Sequence, residues 1–238
     1  MRRFRLTLPW LLLMRLAIPL VIPAGAATGA YKICITNQTQ DRIEIYDAGD
    51  YRLLATIAVD SDGVAATSKP HMIMFSPDYR YAHVANVAAP RNTNNLVVID
   101  TRTRAVVGSY PAGLQAHAAG PSTDGKRAWI TNIGDHNLTE YLVGKRGQLT
   151  LGRTLMAQGV RPICLAFTAD SQYAYLTNGG NNLMLGSVVV FRVADGQSVL
   201  NAPIGREGCG TARSQNPHKL CGSAGYHTAN PPNLNEEW

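Results

Sequence analysis

Phe75-Ser76-Pro77-Asp78-Tyr79-Arg80-Tyr81-Ala82-His83-Val84-Ala85-Asn86 decides the fold, because the chain carries it three times in altered form. The second copy is Pro121-Ser122-Thr123-Asp124-Gly125-Lys126-Arg127-Ala128-Trp129-Ile130-Thr131-Asn132. The third is Phe167-Thr168-Ala169-Asp170-Ser171-Gln172-Tyr173-Ala174-Tyr175-Leu176-Thr177-Asn178. Asp78, Asp124 and Asp170 stand 46 residues apart, as do Ala82, Ala128 and Ala174, and Asn86, Asn132 and Asn178. Repeats of this length signal propeller blades or a solenoid. Each copy is an apolar run, a polar turn and a second apolar run. Ser-Pro-Asp and Thr-Asp-Gly are turn chemistry, since proline presets φ and aspartate bonds its own backbone. The run after the turn alternates aromatic and β-branched residues, which suits a half-buried strand. A fixed alanine between large neighbours predicts sheet faces packed closely at that point.

Working outward, the same texture predicts strands at Tyr31–Asn37, Arg42–Asp47 and Leu53–Val59, then Met72–Phe75, Tyr81–Asn86, Asn95–Asp100 and Ala105–Tyr110. A third unit runs from Ala118 to about Leu155 and a fourth from Cys164 to about Pro203. The first unit ends its leading strand in Thr36-Asn37, as later copies do, so its own inner strand is expected to be missing. From Gly205 the pattern stops. Residues 206–238 are rich in Gly, Pro, Asn and Ser, and predict an irregular tail, as at a truncated or frame-altered end.

The chain has 238 residues, 45% of them apolar and 16% charged, which is a globular composition with material for a core. Its beginning differs. Met1-Arg2-Arg3-Phe4-Arg5 is basic, Leu6–Ile22 is mostly apolar, and Pro23-Ala24-Gly25-Ala26-Ala27 is a small-residue cleavage pattern. Residues 1–27 therefore predict a secretory signal, cut after Ala26 or Ala27, and a periplasmic or secreted product with no membrane association after cleavage. Pro9, Arg15 and Pro19 argue against a spanning helix. The formal charge is +6. Arg2, Arg3, Arg5 and Arg15 carry four of those charges and no acid precedes Asp41, so the processed balance falls to about +2. With no basic patch interleaved with aromatics, nucleic acid is not an expected partner.

Of the four cysteines, Cys209 and Cys221 are the expected disulfide, being close in sequence in an exported chain. Cys34 and Cys164 fall in strands, where buried thiols are an equal reading. No Cys-x-x-Cys-His haem attachment motif, phosphate-binding glycine loop, Gly-x-Ser-x-Gly or His-Glu-x-x-His is present, and no cofactor is expected.

Trp129-Ile130-Thr131-Asn132, Tyr175-Leu176-Thr177-Asn178 and Ile33-Cys34-Ile35-Thr36-Asn37, with the later Val98-Ile99-Asp100-Thr101, resemble the YVTN-type β-propeller repeat over residues 31–205. The resemblance implies an all-β fold of four-stranded antiparallel blades, seven in a closed ring. Seven units of this length need about 320 residues, so about four blades are expected here, as an open arc. It implies no single activity, because one propeller hosts unrelated chemistries.

Seven residues before the turn aspartates stand His71, His117 and Ile163. Two histidines thus share one repeat position, where a propeller's inner strands begin at the mouth of the channel. Imidazoles converging there can hold a metal or donate protons to a ligand. This is similar to the channel histidines of dissimilatory nitrite reductase propellers. No third ligand type shares the position, so a polar channel lining without a metal is the stronger expectation. Lys69, Gln115 and Arg161, two residues earlier, read equally as an anion-attracting rim or as solvated loop residues. His83 reads as a strand-face residue and His136 as a loop residue. The functional expectation is a periplasmic module for a protein or small-molecule ligand. A redox enzyme with a haem-like cofactor or metal, or a lactonase-like hydrolase, is the alternative.

Overall fold

The computed structural model describes residues 31–60, 67–205, 208–213 and 220–224. The signal reading of residues 1–27 lies outside them. The first blade is β1 (Lys32–Asn37), β2 (Arg42–Asp47) and β3 (Leu53–Ala58). The second is β4 (Pro70–Phe75), β5 (Tyr81–Asn86), β6 (Leu96–Asp100) and β7 (Ala105–Tyr110). The third is β8 (Ala116–Pro121), β9 (Arg127–Asn132), β10 (Asn137–Val143) and β11 (Leu149–Met156). The fourth is β12 (Pro162–Phe167), β13 (Tyr173–Asn178), β14 (Ser187–Arg192) and β15 (Ser198–Pro203). Within each sheet the strands pair antiparallel in sequence order. The first blade therefore has three strands and lacks an inner one among the described residues, as its sequence predicts.

Each anchor of the repeat has a structural reason. Asp78, Asp124 and Asp170 each accept the amide two residues on, at 3.0 Å in every copy. Each also accepts a hydroxyl two residues back, Ser76, Ser122 or Thr168, at 2.6 Å. The residue after each aspartate is left-handed: Tyr79, Gly125 and Ser171 have φ of 56°, 70° and 58°. Ala82, Ala128 and Ala174 lie buried in three successive cores. Ile43, Ile45 and Ile57 of the first blade meet Ala82, Val84, Val97 and Ile99 of the second. Leu96 and Val98 meet Ala119, Ala128 and Ile130 of the third. Trp129 meets Phe167 and Phe191 of the fourth edge-on, at 5.3 and 5.9 Å between ring centres. Its indole N–H donates to buried Glu140 at 2.8 Å, as a buried indole requires.

The Thr-Asn pair stitches blades together. Thr36 donates forward to the His71 carbonyl, and Thr131 to the Ile163 carbonyl, both at 3.0 Å. The amides of Asn86 and Asn178 reach back to the Val59 and Ala157 carbonyls of the preceding connections, at 3.2 and 3.1 Å. In Thr131-Asn132 both directions meet, since Asn132 Oδ1 also accepts the Gly113 amide of the preceding connection at 3.1 Å.

One expectation needs correction. Residues 206–238 are not wholly irregular: β16 (Gly208–Arg213) pairs antiparallel with β17 (Leu220–Ala224). Gly208 lies opposite Ala224, Ala212 opposite Cys221 and Arg213 opposite Leu220. Those pairs are Pro162–Asn178, Ala166–Tyr175 and Phe167–Ala174 advanced by 46 residues. β16 also lies against β12. The blade period thus enters a fifth unit, hidden in sequence because glycine, alanine and serine give no apolar alternation. The side chains of this hairpin, and with them the Cys209–Cys221 pairing, lie outside the described residues. The register sets Cys209 opposite Ser223, not opposite Cys221.

Candidate site at the channel mouth

The connection into each inner strand is a tight turn with a left-handed residue at the same place: Lys69, Gln115 and Arg161 have φ of 49°, 56° and 59°. Their carbonyls accept the amides of Val87, Ile133 and Gly179, one residue past each Asn anchor. Bulky residues reach this conformation at a cost of about 1–2 kcal/mol, so the surroundings must hold them there. For Lys69 the clamp is buried Asp41, whose carboxylate accepts the amides of Thr67, Ser68 and Lys69 at 2.8, 3.1 and 2.7 Å. Asp135 accepts the Leu114 amide at 2.8 Å and pairs with Arg91. His136 accepts the Arg161 amide on Nδ1 at 3.2 Å. The sequence predicts only a loop residue at His136. It is exposed, yet it anchors the turn that carries Arg161. Asp41 had no repeat partner to mark it.

Two residues beyond each turn the ladder slips, and His71, His117 and Ile163 are skipped by the pairing of their strands. A bulge re-aims the side chain of the extra residue. Here the result is convergence: the rings of His71 and His117 lie 4.1 Å apart, centre to centre, tilted by 37°. His117 Nδ1 is 3.0 Å from the Ile163 carbonyl. A carbonyl only accepts, so Nδ1 carries the proton of the neutral ring and Nε2 is left as an acceptor. Buried Nδ1 of His71 has no partner.

Both imidazoles are biased towards the neutral form. Burial lowers the pKa of His71. Burial, then the charge of His71, brings His117 down to about 4, with Arg161 pushing the same way against the Ile163 hydrogen bond. Lys69 and Arg161 are exposed on their turns and supply the positive charge of the rim. Structure thus brings His71 and His117 into contact and Arg161 within electrostatic reach of them. Lys69, two residues before His71, is held by its backbone to Asp41 and Val87 and is not brought to the imidazole pair. One residue beyond the histidine position, Cys164 Sγ lies 3.8 Å from Met72 Sδ, joining the inner strands of the second and fourth blades. Cys164 is buried and Cys34 half-buried, neither in a disulfide. Burial pushes the Cys34 thiol pKa up against the charge of Lys32.

No known family model matches the sequence, and no curated protein matches it. Solved structures do. The chain is similar to Kuenenia stuttgartiensis hydrazine synthase (TM-score 0.68, 16% identity), over 79% of this chain and 51% of that one. A Bacteroides uniformis protein described as a candidate 6-phosphogluconolactonase gives a TM-score of 0.66 at 17% identity, over 83% and 62%. The Swd1 β-propeller domain of Myceliophteria thermophila gives 0.63 at 14%, over 81% and 63%. The chain spans between half and two thirds of the length of these structures. At such identities the likeness speaks to fold alone. With sheets that restart every 46 residues and propeller neighbours, the chain is an all-β propeller of antiparallel four-stranded blades, about four of them present.

Proposed function

We propose that the protein is an exported, YVTN-type propeller that binds a small anionic ligand at the channel mouth and serves as a periplasmic binding module. The contact of His71 and His117 carries the reading: two adjacent inner strands present neutral imidazoles at 4.1 Å from each other, one with a buried nitrogen lacking a partner. A buried polar atom without a hydrogen bond costs about 1–3 kcal/mol, and a ligand oxygen answers it. Arg161 and Lys69 on the rim draw anions towards the pair. The basic and apolar leader supports export.

A metal or haem-like redox centre, or a hydrolase, at the same mouth is the competing chemistry. Among the described residues no third His, Cys, Asp or Glu joins the two imidazoles, and catalytic zinc takes three protein ligands. The donor set favours hydrogen bonding to an anion. Calorimetric titration with sodium citrate and with sodium phosphate tests this. An anion favours the protonated imidazole, so affinity should rise as pH falls from 7 to 5, with proton uptake. Replacing His71 and His117 together by alanine should weaken binding about tenfold or more, the worth of one charge-assisted hydrogen bond. Unchanged affinity in the double variant sinks the reading, and periplasmic fractionation tests the location separately.

A further inference from the structure

The inner strands of the second and fourth blades touch through sulfur. Met72, Ala118 and Cys164 hold one repeat position, 46 residues apart, directly after the histidine position. In the intervening third blade that position holds only the methyl group of Ala118. Cys164 Sγ comes within 3.8 Å of Met72 Sδ, the thiol donating to the thioether, although the two residues are 92 apart in the chain. Cys164 is buried, Met72 is half-buried, and Cys164 takes no part in a disulfide. Two blades thus turn two soft donors towards each other.

We propose that Met72 and Cys164 form a binding site for one Cu(I) ion. A thiol bonded to a thioether directs lone pairs of both sulfurs at one proton, and a soft cation takes that proton's place. With metal–sulfur bonds of about 2.3 Å, sulfurs 3.8 Å apart subtend an angle of about 110° at the ion. That angle suits an ion with one or two further donors, so the two strands need not move to admit it. Thiolate and thioether are the soft donors that Cu(I) prefers. Zinc takes at least three N, S or O ligands from the protein, and among the described residues Cys164 belongs to no metal-binding group of three His, Cys, Asp or Glu residues. The donor pair therefore favours the monovalent ion. Binding forms a thiolate–copper and a thioether–copper bond and breaks the Cys164 S–H bond. The proton passes to solvent, no electron is transferred, and affinity rises with pH for that reason. This inference does not depend on the anion reading of the channel mouth.

The test is NMR of the full chain with carbon-13 in its methionine methyl groups, titrated without oxygen with Cu(I) buffered by bathocuproine disulfonate. Cu(I) has no unpaired electron, so a methionine that binds it shifts its methyl resonance without losing it. The Met72 resonance, assigned through Met72→Leu, should shift saturably, while those of exposed Met74, Met156 and Met184 stay in place. Cys164→Ser should raise the free Cu(I) needed for half of that shift at least about tenfold, since losing even an outer-shell partner of a metal costs that much. Should Cys164→Ser not fold, Met72→Leu decides: it should hold one copper fewer per chain against the same chelator. An unmoved Met72, the four methionines shifting alike, a shift of equal affinity in Cys164→Ser, or an equal copper content in Met72→Leu each overturns the proposal and leaves the sulfur pair as packing.

Discussion

At the scale of single residues, burial biases His71, His83 and His117 towards the neutral form, with different neighbours at each. His117 is lowered to about 4 by burial and then by His71. Removing the neighbour in His71→Ala should therefore raise the His117 pKa, followed by the pH dependence of its imidazole NMR resonances; an unmoved titration contradicts coupling of the rings. His83 is different. It lies buried in β5, its Nδ1 has no partner, and burial alone takes it to about 4. Its folded pKa lies below its unfolded value, near 6.5. The stability it contributes is thus complete above that value and is lost as pH falls towards 4, to a limit of about 3 kcal/mol. Below pH 4 a further loss sets in as Asp78, Asp100 and Asp124, all with lowered pKa values, take up protons. Urea unfolding at pH 7, 5.5 and 4.5 should show the first slope, and His83→Leu should reduce it, leaving the share due to His71 and His117. Gly125, at φ +70°, has room for a Cβ but not the conformation, so Gly125→Ala should cost about 1 kcal/mol.

At the scale of elements, stability rests on the joints between blades. Thr131 donates to the Ile163 carbonyl and accepts the Ala118 amide, both at 3.0 Å. Thr131→Val keeps the shape, strands the Ala118 amide and leaves the Ile163 carbonyl to His117 alone, so a loss of about 1–3 kcal/mol is expected in denaturant melts. Glu140 accepts from the Trp129 indole and pairs with Arg153 and Arg127, at 2.8, 3.0 and 3.5 Å. Glu140→Ala takes the acceptor from the buried Trp129 indole N–H and the carboxylate from the half-buried Arg127 and Arg153, and should cost about 1–3 kcal/mol. The Asp, Ala and Asn spacing made the sheets legible, because turn geometry and close blade packing demand those residue types at fixed intervals. The shared position of His71 and His117 was legible for the same reason. Their contact was not, because a bulge leaves no mark in composition. Nor were the left-handed turns at Lys69, Gln115 and Arg161, where no glycine or asparagine signals positive φ. The strands of Gly208–Ala224 were hidden by their small residues.

At the scale of the molecule, one unit advanced by 46 residues builds the sheets, buries each against the next and brings the histidine position to the channel in turn. Among the described residues the first blade departs from this order, since β1 pairs with β2 alone. Hydrogen–deuterium exchange along the chain tests the account most directly. It predicts strong and matched protection at Tyr81–Asn86, Arg127–Asn132 and Tyr173–Asn178, with weaker protection at the equivalent Lys32–Asn37. Protection that does not recur with the repeat, or that runs unbroken through the Asp78, Asp124 and Asp170 turns, would contradict it.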